Sequence, residues 1–73
     1  MTTLELVLQG RFWTRKQELI EELEDMGLDT YAECDEYMTV VQEGENSEDV
    51  YYMIYLGHAN STIWVKRVEC EEM

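Results

Sequence analysis

Along residues 3–9 apolar and polar positions alternate, with Leu4, Leu6 and Leu8 on one side and Glu5, Val7 and Gln9 on the other. A period of two is what a strand buried on one face requires, so this pattern predicts a strand, broken by Gly10. The period then changes. Leu19, Ile20, Leu23 and Met26 recur at helical spacing, Thr14 followed by Gln17 matches a capping box, and Gly27 stands where a left-handed C-terminal cap belongs. These signals predict a helix over residues 15–26.

Beyond the helix, residues 30–42 read as one long or bulged strand, with Met38 and Val40 opposite Tyr37, Thr39 and Val41. The run EGENSED, residues 43–49, holds Gly and Asn in a short polar stretch and predicts a turn. Residues 50–56 (VYYMIYL) are rich in β-branched and aromatic side chains and favour a strand. A helix over residues 47–59, with Ser47 as its N-cap, is the competing reading of that stretch. Residues 57–61 supply the next turn, residues 62–68 (TIWVKRV) the last strand, and residues 69–73 a tail expected to fray. The expected fold class is α+β in two layers: strand, helix and a three-stranded antiparallel meander, with the helix packed on one sheet face. At 73 residues the chain has room for one small domain with a thin core.

Charge changes the picture most. Seventeen Asp and Glu against five Lys and Arg give a net charge of -12. The basic residues are Arg11, Arg15, Lys16, Lys66 and Arg67, so residues 17–65 carry thirteen carboxylates and no basic side chain. Self-repulsion on this scale costs a small domain stability, and affinity for phosphates comes from cations, so direct nucleic-acid binding is disfavoured. The longest apolar run, residues 50–56, is far too short to span a membrane, and the N-terminus lacks the pattern of a signal peptide. A cytoplasmic location is expected. Cys34 and Cys70 then read as free thiols, buried or half-exposed, and with His58 they form no metal-ligand spacing.

On a helical wheel Glu18, Glu21, Glu22 and Asp25 share one stripe opposite the apolar face. Their rise of about 5 to 6 Å per turn is close to the spacing of phosphates along a nucleic-acid strand. A solvated surface helix explains carboxylates, but not like charges at i,i+4 that no lysine offsets. Glu33, Asp35, Glu36, Glu43, Glu45, Glu48 and Asp49 extend the negative surface. The EGENSED run lacks the ligand pattern of a calcium loop, and no metal or cofactor is expected. In the aromatic run, placing Tyr52, Ile54 and Leu56 against the helix leaves Tyr51, Met53 and Tyr55, with Trp64, on the other face. One helix cannot cover both faces, so an apolar partner or homodimer surface remains. No nucleophile, base and orienting acid fall together; His58 reads as a turn residue, and no catalytic role is expected.

The order of elements and the acidity resemble small phage-type inhibitors of DNA enzymes, above all the uracil-DNA glycosylase inhibitor family. The matching segments are a strand like residues 6–9 (LVLQ), an acidic helix, an acidic hairpin like residues 41–53 and a Trp-containing strand like residues 63–68. Where that family has a short Glu-Ser-Ile segment, this chain has Gly10, Arg11 and Phe12. The resemblance implies an acidic DNA mimic that blocks the basic groove of a host DNA-repair glycosylase, nuclease or CRISPR effector, with Glu18, Glu21, Glu22 and Asp25 as its carried-over contacts. LVLQGRF followed by a helix ending at Met26-Gly27 also looks like the first half of a BRCT module. That would make the chain an interaction module, although Gln9 stands where that module has Ser or Thr.

Overall fold

The structure is a computed structural model that describes residues 3–44 and 48–71. Its elements are helix α1 (Thr3–Leu8), strand β1 (Phe12–Trp13), helix α2 (Lys16–Asp25), and strands β2 (Leu28–Glu33), β3 (Tyr37–Gln42), β4 (Val50–Ala59) and β5 (Thr62–Glu71). The five strands form one antiparallel sheet in the order β1-β5-β4-β3-β2. The α+β class is as expected, while several elements differ from the sequence reading.

The first difference is α1. Leu4 and Leu8 lie one helical turn apart and are both buried, whereas Leu6 and Val7 are exposed, so the face that matters has the period of a helix. Gln9 N–H donates to the Glu5 carbonyl at 2.9 Å, and Gly10, at φ +77°, ends the helix where a strand break was expected.

Helix α2 forms as the spacing predicts, one residue shorter at each end, with Leu19, Ile20 and Leu23 buried. Gly27 adopts φ +85° after it, which fits the expected left-handed cap. The capping box does not form. Glu18, not Gln17, reaches back, accepting the Thr14 backbone N–H at 3.2 Å.

The long strand expected over residues 30–42 is a hairpin of β2 and β3, with a bulge at Tyr31. Its turn is closed by one bond of its own and held by contacts from elsewhere. Cys34 N–H donates to the Tyr37 carbonyl at 2.8 Å, Leu56 N–H to the Glu36 carbonyl at 2.8 Å, and Lys16 Nζ to the Cys34 carbonyl at 2.8 Å. The His58 Nε2 meets the Asp35 carbonyl. His58 therefore stands on β4 and ties it to the hairpin, instead of lying in a turn.

Residues 50–59 form a strand, which overturns the competing helix; Ser47 lies outside the described residues. The turn to β5 is only Asn60-Ser61, both at positive φ (50° and 63°), so Gly57 and His58 belong to the strand. Two central residues in that region match the twist of the flanking strands. β5 runs on to Glu71, so three residues of the stretch expected to fray are in the sheet; Glu72 and Met73 lie outside the described residues.

Directly opposed residues of antiparallel strands point to the same face. The row Met38, Ile54 and Val68 marks the core face, buried with Leu4, Leu8, Trp13, Leu19, Leu23 and Leu28 from the other elements. Both helices contribute to this one core, so among the described residues the other sheet face carries no helix. The next row, Tyr37, Tyr55 and Arg67, lies on that uncovered face. Among the described residues no helix is long and apolar enough to cross a membrane.

Candidate partner-binding surface

Two surfaces follow from this layering, one acidic and one aromatic. On α2, Glu18, Glu21 and Asp25 are exposed along the ridge away from the core. Glu22 leaves that ridge. It is half-buried and accepts hydrogen bonds from the Trp13 indole N–H and the Arg11 guanidinium. The Trp13 donor first, then Arg11, hold its carboxyl below the ordinary carboxylate value. Glu22 is thus neutralised within the fold, and the four-carboxylate ridge expected from the wheel reduces to three.

The remaining acidic residues bracket the helix. Glu33, Asp35 and Glu36 are exposed at the β2–β3 turn, held beside the start of α2 by the Lys16 contact to Cys34. Glu43, Glu48 and Asp49 are exposed between β3 and β4 at the opposite end of the sheet, where Gln42 pairs with both Leu28 and Val50. Since Leu28 follows α2 directly, this second group lies near the helix's C-terminal end. Glu45 lies outside the described residues. Among the described residues Glu21, Asp25, Glu33, Glu48 and Asp49 make no ion pair. Arg67 pairs with Glu69 at 3.6 Å, and Lys16 is spent on a carbonyl.

Tyr51, Met53, Tyr55 and Trp64 all lie on the helix-free face, together with Thr39 and Val41. Three aromatic side chains that the sequence reading did not place there join them. Phe12 is 66% exposed and meets Trp64 edge-on at 6.3 Å, while Tyr31 is 71% exposed and meets Tyr51 at 5.8 Å. Tyr37 lies 6.4 Å from Tyr55. The alternation with Met38 and Val40 already puts Tyr37 on this face; Phe12 and Tyr31 depend on a two-residue strand and on a bulge, for which the sequence has no periodic signal.

The Trp64 indole lies over Gly57, where an added Cβ would strike the ring, so glycine is what lets the ring lie flat on the sheet. Arg67 sits 4.2 Å over the Tyr55 ring, and the Tyr55 hydroxyl donates to Glu69 at 3.3 Å. Arg67 and Glu69 thus offset one another on this face. The Cys34 thiol beside Tyr37 raises the phenol above its ordinary value. Cys34 and Cys70 are both free and exposed, more so than their expected state.

A cleft of about 500 Å³ lies beside Trp64, lined by Glu36, Tyr55, Leu56, Gly57, His58 and Lys66. The His58 ring there is already engaged by Asp35. No family model, curated protein or solved structure matches the chain.

Proposed function

We propose that this chain is a non-catalytic binding protein whose acidic side, Glu18, Glu21 and Asp25 with the flanking groups Glu33, Asp35, Glu36, Glu48 and Asp49, occupies the basic nucleic-acid groove of a host protein and blocks it. The observation that carries this reading is that, among the described residues, Glu21, Asp25, Glu33, Glu48 and Asp49 make no ion pair: Glu21 and Asp25 repel one another at i,i+4, and no lysine offsets them. Stability alone does not select such an arrangement, whereas a cationic groove rewards it. Long-range attraction speeds encounter, and apolar packing slows release.

The test is capture from host lysate on the immobilised chain, with and without competing duplex DNA. A mimic loses its partner to DNA and to rising salt, because both compete for the same cations. Exchanging Glu21 and Asp25 for Lys should weaken capture at least about tenfold, the size expected from reversing charges at a complementary interface. Glu22 is the wrong residue to reverse, since its charge is already held by Arg11 and Trp13. Capture that is indifferent to DNA and to the exchange removes this reading.

The second reading is an interaction module that uses Tyr51, Met53, Tyr55 and Trp64. The helix-free aromatic face favours it, since exposed patches of Tyr, Trp and Met mark partner surfaces. It predicts capture that survives high salt and fails on Trp64→Ala.

A further inference from the structure

The two edges of the sheet are not alike. The β2 edge is bulged at Tyr31 and carries Asp29 and Glu33, devices that discourage another strand from pairing there. At the other edge, β1 is only two residues long and covers β5 only at Ile63 and Trp64. Past the Lys66 bulge, residues 67–71 of β5 pair with β4 on one side and, among the described residues, with no strand on the other. That stretch is extended, and among the described residues no strand lies along its outer edge.

We propose that a second copy of this chain pairs with it, antiparallel, about a two-fold axis at Val68. The argument is charge complementarity within the strand itself. With the axis at Val68, Arg67 of each copy, which within its own chain lies 3.6 Å from Glu69, also stands opposite Glu69 of the other, giving two cross-strand pairs of opposite sign on the helix-free face. Shifting the axis to Glu69 would set the two Glu69 carboxylates against one another, and shifting it to Arg67 would oppose the two arginines. The only Lys and Arg of the C-terminal half of this acidic chain thus lie on β5, Lys66 at the bulge and Arg67 in the regular stretch beyond it. Leu6 and Val7, exposed at 57% and 47% on the helix packed against β5, are further apolar surface near that edge. The pairing joins two sheets into one and makes the aromatic face continuous across both copies. It does not rest on the reading of the acidic side.

Sedimentation equilibrium of the full chain, with hydrogen exchange across a concentration series, tests this. The expected result is a reversible dimer that tightens as moderate salt screens the long-range repulsion of two acidic chains. The amides of residues 67–71 should gain protection with concentration. Glu69→Lys lowers the overall negative charge, so if net charge governed association the dimer would tighten. Pairing at Val68 instead makes it at least about tenfold weaker, because both cross-strand pairs become repulsive. The double exchange of Arg67→Glu with Glu69→Lys restores opposite charges and the dimer. A monomer at millimolar concentration, a dimer that Glu69→Lys leaves as tight or tighter, or protection confined to the aromatic face or seen only with a different protein bound, each overturns the proposal.

Discussion

Trp13 on β1 donates its indole N–H to the carboxylate of Glu22 on α2, and Arg11 pairs with that same carboxylate. One side chain thereby joins the shortest strand to the helix above it. Arg11 also stacks 5.4 Å from the Trp13 ring, so the three residues form a closed set.

The set makes stability depend on pH. Because the folded state holds the Glu22 carboxyl below its ordinary value of 4.5, its contribution is fully present above that value. It is lost as pH falls through the lowered folded value. Glu22→Gln should therefore be less stable than the parent at neutral pH, and the two should converge in acid. Urea unfolding at neutral and acid pH checks this; a constant gap across the range would contradict it.

Leu23 shows how thin the core is. It is fully buried on α2, facing the layer that contains Met38 and Ile54. Truncation to alanine at such a site costs about 2 to 5 kcal/mol, comparable with the whole stability of a domain this small. Leu23→Ala should leave most of the chain unfolded at 25 °C by circular dichroism. Leu6→Ser, at an exposed position of α1, should change stability by less than about 0.5 kcal/mol.

Gly57→Ala tests the Trp64 platform. The new methyl has to displace the indole, because the backbone beneath it is held in the sheet between β3 and β5. A cost of about 1 to 3 kcal/mol is expected, with a red shift in tryptophan emission as Trp64 swings into water while Trp13 stays buried. Unchanged emission would show that the ring has another resting place.

What the sequence made legible follows the physics of each segment. Helix α2 was readable from its helical spacing and Gly27, and the two long strands from their β-branched and aromatic side chains between polar runs, although composition left a helix open for residues 47–59. Helix α1 was not, because Leu4 and Leu8 fit period two and period four equally; only the core shows that Leu6 is not one of the set. The β2–β3 turn contains no Gly, Pro or Asn and is held by Lys16, Leu56 and His58, which are distant in sequence. Tertiary contacts override local propensity there. Of the candidate surfaces, alternation alone placed Tyr51, Met53, Tyr55 and Trp64 together. The helix wheel placed Glu22 with Glu18, Glu21 and Asp25 because it knows nothing of a tryptophan donor nine residues upstream.

The two-residue connection at Asn60-Ser61 also has a consequence for how the chain tolerates change. It acts as a phase-setter: β5 enters the sheet with Ile63 inward and Trp64 outward only because the count between Ala59 and Thr62 is fixed. Adding or removing a single residue at that point would threaten to invert β5, driving Lys66 or Arg67 toward the leucines and turning Val68 out to water. Length variation should therefore be refused between β4 and β5.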